Sequence, residues 1–489
     1  MTVTTTTFDL EELIALFEQG LQAISVEDHT AALTIFEQIV AIRPDIPNVW
    51  EKYSAVLQKL GKYREAMEAN DTAMELYQSG AEALVLDVTQ GWTADQWVTE
   101  GDRLFFYNRY EEAIIAYNNA LRIRPDQANT LYNKGVCLGN LGKFEAAIAT
   151  YDAAIALQPD LYEALNNKGL ALVQLGHYSE AISAYDKALH IQPGLHQTLN
   201  NKGLALAKLD RYGEAITAYD KALSLKPDKH STLYNKGISL AKLGHHEEAI
   251  TAYGSALQIK PDLNDALYQK GLSLAKLGRH KAAISAYDAS LKLKPGLYDE
   301  LFNKGLSLYE LGRYKAASEA YNLILEKHPS DHKVLYQQGI VLQKLRRYKE
   351  AISVYDAILE THPNDYQAIQ NKGHALFKLG RFNQAVAVYA AALAIKPDLP
   401  NVLYSKGVAL SNLGRYEEAM VAYDAALTLQ PSNYAALYRK GLVLHSLDCY
   451  EAAISAYNAA LAIQPNASEV RQRKDAALFK LALQRRHHR

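Results

Sequence analysis

Apolar and polar positions follow a helical rhythm in this chain, and the rhythm restarts every 34 residues. In the stretch ending at Pro193, LYEALNNKGLALVQLGHYSEAISAYDKALHIQP, apolar side chains recur at three- and four-residue spacing on both sides of an LGHY turn. That spacing predicts two antiparallel amphipathic helices per repeat. Proline returns eleven times from Pro125 to Pro465 without insertion or deletion. It cannot continue a helix, so it closes the second one. The turn glycine, as in Gly142, Gly176, Gly244, Gly278, Gly312, Gly380 and Gly414, suits the left-handed residue that ends the first helix.

Counting back from each proline, tyrosine stands at eight (Tyr117 to Tyr457), alanine at twelve (Ala113 to Ala453), leucine at twenty-one and glycine at twenty-four (Gly101 to Gly441). A mid-helix glycine costs about 1 kcal/mol against alanine, so its return in every unit needs a packing reason. Close approach of the two helices, as between Gly169 and Ala181, is the expected one, with the tyrosine filling the space beneath the next repeat. Such self-similarity predicts an all-α solenoid in which each repeat stacks on its neighbours.

The order Trp or Leu, Gly, Ala, aromatic, Ala and Pro over 34 residues resembles the tetratricopeptide repeat family, across eleven units at 94–467. The resemblance implies a right-handed α-solenoid of about thirteen helix-turn-helix repeats whose first helices line the concave side. Upstream, Gly20, Ala32, Phe36 and Pro44 repeat the offsets in a unit at 13–46. A divergent unit at 47–80 keeps Trp50, Leu60 to Tyr63 and Ala66 but has Asn70 for the aromatic and Gln78 for the proline. The expected organisation is a disordered stretch at 1–8, two divergent units at 9–80, a junction or hinge at 81–93, the eleven units, and a capping helix with a basic tail at 468–489. Asp9 and Glu12 have the spacing of a capping box at the first helix.

Rows that vary between repeats are where partner recognition is expected. On the first helices, residues thirty, twenty-seven, twenty-three and twenty before the proline share one stripe. The row at twenty-seven holds Tyr132, Tyr234, Tyr268, Phe302, Tyr336, Tyr404 and Tyr438, beside Asn133, Asn167, Asn201, Asn235 and Asn303. The row at twenty-three is mostly aliphatic, with Asp102 and His374 as exceptions. Tyrosines bury large area and keep one polar tip, and asparagines can bond a peptide backbone. These twelve residues form the candidate groove; packing between neighbouring first helices and an inter-repeat asparagine ladder are the alternative reading of the same rows. Lysine follows the asparagine, where the family usually has an apolar residue, and could offset acidic side chains of a partner. The family's known carboxylate clamp for chaperone tails needs a Lys and an Asn four apart on the groove stripe, and these rows lack it.

Charge and chemistry narrow the function further. With 52 basic and 54 acidic residues, no global field draws the chain to nucleic acid or an anionic membrane. Cys137 and Cys449 are too far apart in sequence for a local metal motif, and His328 and His332 are separated by Pro329, unlike a helical ligand pair. No phosphate loop or nucleophile motif is present. The sequence therefore predicts a cytoplasmic, non-catalytic scaffold for protein or peptide partners, with no cofactor, no metal and no membrane segment. Single-stranded RNA binding and a regulatory-subunit role remain as alternatives.

Overall fold

The computed structural model describes residues 10–78 and 92–487. The described residues form twenty-seven α-helices and divide into two compact units, Met1–Leu175 and Gly176–Arg489. The first unit contains α1 (Leu10–Ser25), α2 (His29–Ile42), α3 (Pro47–Lys59) and α4 (Tyr63–Gln78). It continues with α5 (Ala94–Phe106), α6 (Tyr110–Ile123), α7 (Ala128–Asn140), α8 (Phe144–Leu157) and α9 (Tyr162–Gln174).

The second unit opens with α10 (Tyr178–Ile191), α11 (His196–Lys208), α12 (Tyr212–Leu225), α13 (His230–Lys242), α14 (His246–Ile259) and α15 (Asn264–Lys276). Next come α16 (His280–Leu293), α17 (Tyr298–Glu310), α18 (Tyr314–Leu325), α19 (His332–Lys344), α20 (Tyr348–Thr361) and α21 (Tyr366–Lys378). It closes with α22 (Phe382–Ile395), α23 (Pro400–Asn412), α24 (Tyr416–Leu429), α25 (Tyr434–Ser446), α26 (Tyr450–Ile463) and α27 (Ser468–His487). Within each unit consecutive helices pack as pairs, and the pairs follow one another in the manner of an α-solenoid.

The seven turn glycines all adopt positive φ, between 71° and 83°. Where the glycine is absent, Asn108, Asp210, Arg346 and Asp448 take the same conformation at φ 57° to 60°. The second helices stop two residues before the proline in most repeats, as at Leu157 and Pro159, because the residue preceding a proline is driven to extended backbone. Gln158 shows this, at φ −133° and ψ 91°.

The mid-helix glycine has a different neighbour from the expected one. A Cβ placed on Gly135, Gly237 or Gly271 would stand 2.5 Å from Cε1 of Tyr151, Tyr253 or Tyr287, sixteen residues later in the same repeat. The nearest atoms are those of the tyrosine ring, not of the alanine. The ring lies flat in the notch that the missing side chain leaves. In the first unit, Tyr151 also clusters with Leu161 and Ala164 of the following repeat, so one ring ties two repeats together. Gly20 and Phe36 repeat the relationship, with a Cβ 2.8 Å from Cζ.

Residues 79–91, which hold most of the expected hinge, lie outside the described residues, as do 1–8 and the cap expected at Asp9. On its far side Thr93 and Gln96 form a reciprocal capping box that starts α5. α5 meets α3 through Glu51, which accepts from Arg103 at 2.5 Å and faces Arg109 at 3.4 Å. Burial works against the Glu51 charge, but the two guanidiniums hold its carboxyl below the ordinary range. At the other end α27 lays Val470, Ala477 and Leu481 on the last repeat, the cap predicted for the array.

Candidate functional site

The candidate groove residues all sit on first helices and are half-buried, except Phe302, which is buried. Their stripe recurs once per helix because the helical period returns residues three and four apart to one face. The tyrosine rings lean on the core tyrosine of their own repeat: Tyr132 on Tyr151, Tyr234 on Tyr253, Tyr268 on Tyr287, Tyr404 on Tyr423 and Tyr438 on Tyr457, at 6.0–6.3 Å between centroids. Burial raises the phenol pKa of Tyr132 and Tyr234, and pushes that of Tyr268 up to about 12 with help from Asp299.

Their hydroxyls reach the next repeat. Asn167 donates to the Tyr132 hydroxyl at 3.2 Å, Asn303 to that of Tyr268 at 3.1 Å, and Asn371 to that of Tyr336 at 3.1 Å. Asn235 donates to Asn200 at 3.3 Å and Asn133 to Asp102 at 3.0 Å. Tyr438 donates to Glu469 on the capping helix at 2.6 Å. Asn201 is half-buried on α11. The first four bonds form a ladder in which asparagine of one repeat holds the tyrosine, or Asn200 in its place, of the repeat before; Asn133 instead reaches Asp102 on the row at twenty-three. Phe302 departs from it: the ring stacks on Tyr298 and carries Lys333 Nζ 3.9 Å above its centroid.

The lysine row does something the sequence did not announce. Lys168, Lys202, Lys236, Lys304, Lys372 and Lys440 each pair, at 2.5–2.6 Å, with an aspartate sixteen residues earlier. Those aspartates, Asp152 to Asp424, stand seven before a proline on the preceding second helix. The lysines therefore face backward along the array, and the expectation that they would meet a partner's acids is corrected for the five that follow an asparagine, Lys168, Lys202, Lys236, Lys304 and Lys372. In the one repeat where the position holds Gln338, its amide donates to Asn322 at 2.7 Å, a neutral version of the same bridge.

What stays open on the stripe is chiefly the aliphatic row, with Leu170 39% and Leu204 38% exposed. In the first unit the stripe also holds a cleft of about 310 Å³ lined by Asp102, Phe105, Tyr117, Tyr132, Asn133 and Val136. Asp102 replaces an aliphatic residue there, and it accepts from the hydroxyl of Tyr117 at 2.7 Å as well as from Asn133. Phe105 stands twenty before Pro125, on the fourth row of the stripe, whose members the sequence offered no reason to single out. A larger cleft of about 510 Å³ between α10, α11 and α12 is lined by Asp186, Lys202, Glu214 and Lys221 and lies away from these rows. Among the described residues no group of three His, Cys, Asp or Glu could hold a metal ion, and no helix is long and apolar enough to cross a membrane.

Comparison with known proteins decides the family. A tetratricopeptide repeat profile matches residues 132–196, 234–298, 268–332, 302–366 and 404–468, more than half of the chain. The chain belongs to the tetratricopeptide repeat family. A TPR repeat profile adds 101–142 and 373–414, and a further tetratricopeptide repeat profile adds 194–262. Curated proteins yield no match. Among solved structures, the array is similar to YrrB, described as a TPR protein with an unusual peptide-binding site, at 24% identity and TM-score 0.36, over 38% of this chain and 96% of that one. It is similar to yeast Tom70 at 16% identity and TM-score 0.33, over 80% of this chain and 96% of that one. The C-terminal part of a TPR repeat-containing protein from Cytophaga hutchinsonii aligns at 20% identity and TM-score 0.44, over 49% and 98%. Tetratricopeptide arrays are protein-interaction scaffolds, and this array is of that general kind.

Proposed function

We propose that this tetratricopeptide array is a non-catalytic cytoplasmic scaffold that receives extended or helical segments of partner proteins on its first-helix stripe. The observation that supports this reading best is the aliphatic row, exposed at Leu170 and Leu204 and half-buried elsewhere, in company with half-buried tyrosines such as Tyr132 and Tyr268 that asparagines of the next repeat hold. A stripe held this rigidly loses little entropy on binding, so hydrophobic burial along it is realised as affinity. Asp102, at the mouth of its cleft, would orient a basic side chain of the bound segment.

The RNA reading has no observation in its favour. The lysines best placed to meet phosphates are engaged by aspartates in six repeats. The test is a pull-down from native cytosol with the full chain, Leu170→Asp and Asp102→Lys, folding being checked by helical circular dichroism. Loss of the same partners from both variants supports the stripe as the site. An unchanged set of partners on folded variants would remove it.

A further inference from the structure

Every second helix that precedes a regular repeat offers one face to the first helix that follows. Its contact positions lie eleven, eight and four before the proline: Ile148, Tyr151 and Ile155 on α8, Ile216, Tyr219 and Leu223 on α12, all buried or half-buried. In α4, counting from Gln78, the same positions are Met67, Asn70 and Met74. All three are exposed, Met67 by 69% and Met74 by 57%. The opposite side of α4 is packed normally, with Ala66, Ala69 and Ala73 buried and Ser54 Oγ donating to the carbonyl of Ala66 at 2.8 Å. α4 is thus a formed second helix whose stacking face has no first helix on it among the described residues.

The charge on that face says what is missing. Seven before Gln78 stands Asp71, the position whose aspartate binds a first-helix lysine at six other junctions. Asp71 is exposed and has no ion-pair partner among the described residues. The chain does not supply one nearby: residues 79–91, SGAEALVLDVTQG, contain no lysine or arginine, and α5 has Glu100 at the position of the lysine, already bonded to Arg103. Glu68 and Glu75 extend the acidic edge beside Asp71, with Arg64 engaged by Glu68. Methionines suit such a face, because an unbranched thioether repacks against helices of differing shape.

We propose that the stacking face of α4, Met67, Asn70 and Met74 edged by Asp71, is a docking site for an amphipathic helix of a partner protein that sets a lysine over Asp71. The partner helix completes the divergent repeat in trans, in the way a following first helix completes the others. Apolar residues of that helix cover the two methionines, and its lysine makes the bridge seen at Asp152 and Lys168. The site is separate from the first-helix stripe and stands whether or not the stripe binds.

The probe is a hydrocarbon-stapled, fluorescein-labelled peptide of residues 195–209, LHQTLNNKGLALAKL, which carries Lys202. Anisotropy titration with the full chain is expected to show saturable binding. Asp71→Lys is expected to weaken it by about tenfold or more, and a peptide with Lys202→Asp should recover affinity for that variant. Met67→Glu with Met74→Glu should abolish binding while helical circular dichroism is unchanged, since both side chains are exposed. Absence of binding, or equal binding to wild type and Asp71→Lys, overturns the proposal. Sedimentation showing self-association that the Met67→Glu, Met74→Glu pair abolishes would overturn the partner assignment by giving the face to a second copy.

Discussion

Gly237 and Tyr253 form one packing unit: a Cβ on the glycine would sit 2.5 Å from Cε1 and 2.7 Å from Cδ1 of the ring. The ring is buried at the core of its cluster, with Leu240 and Ala266 beside it. In an exposed helix, glycine to alanine is stabilising. Here the steric term has the opposite sign and is larger. Gly237→Ala is therefore expected to destabilise the array by about 1–3 kcal/mol, the usual range for overpacking. Urea unfolding followed by circular dichroism measures it, and a variant as stable as wild type would mean the ring can shift.

The core tyrosines differ at their tips. The hydroxyls of Tyr253, Tyr287 and Tyr321 are buried with no hydrogen-bond partner among the described residues, whereas Tyr117 donates to Asp102 at 2.7 Å. Tyr253→Phe removes a desolvated hydroxyl and should leave stability unchanged or raise it slightly. Tyr117→Phe breaks a bond to a carboxylate and should cost about 1.5–3 kcal/mol. Thermal melts of the two variants should move in different directions from wild type.

Arg346 holds φ +59° where seven other repeats have glycine. A long side chain in the left-handed region is strained by roughly 1–2 kcal/mol, partly offset because glycine also loosens the unfolded chain. Arg346→Gly is expected to raise the unfolding free energy by the difference, up to about 1 kcal/mol, and the unfolding midpoint with it. A lower midpoint would show that the side chain has an interaction worth more than the strain.

Alkali should unfold the array. Burial pushes the phenols of Tyr389, Tyr423 and Tyr457 up to about 12 and raises those of Tyr253 and Tyr287 as well. In the unfolded chain they ionise near their ordinary value of about 10. A folded-state value above the unfolded one gives stability that is complete below about pH 10 and is lost as pH rises through the interval to the folded value. Absorbance at 295 nm should therefore report two populations among the 33 tyrosines. The second should ionise only as helicity falls; a single smooth titration with helicity retained would contradict this.

The Lys236 and Asp220 bridge, 2.6 Å long, is partly exposed on both sides. Its coupling in a double-mutant cycle should be small, about 0.2–1 kcal/mol, and should shrink in high salt. A coupling insensitive to salt would show the pair to be shielded from solvent.

Most of the architecture was legible because one physical demand, stacking, imposes the same residue at the same offset. The helix pairs, the turn glycines and the buried tyrosines followed from periodicity, and the terminal cap from the amphipathic stretch after Pro465. The partner of the mid-helix glycine was not legible. Ala249 and Tyr253 occupy neighbouring turns of α14, and only its crossing with α13 selects which one fills the notch at Gly237. The candidate groove was half legible. Tyr268 and Tyr336 stand on the expected stripe, but their bonds to Asn303 and Asn371 span 35 residues and depend on how far one repeat advances over the next. The Lys168 and Asp152 bridge had a readable signal. Aspartate at one offset and lysine sixteen residues on accompany each other at six junctions, and Asn322 is matched by Gln338 at a seventh.

That bridge also bears on how such an array changes length. Asp186 meets Lys202 with the same chemistry and the same separation as Asp220 meets Lys236. Excise the 34 residues between Pro193 and Pro227, and Asp186 would find Lys236 in place of Lys202 with nothing else to adjust. Each such joint accepts any unit of its kind, so gain or loss of whole repeats by recombination needs no compensating substitution, and the length of the binding surface can drift while the joints stay under selection.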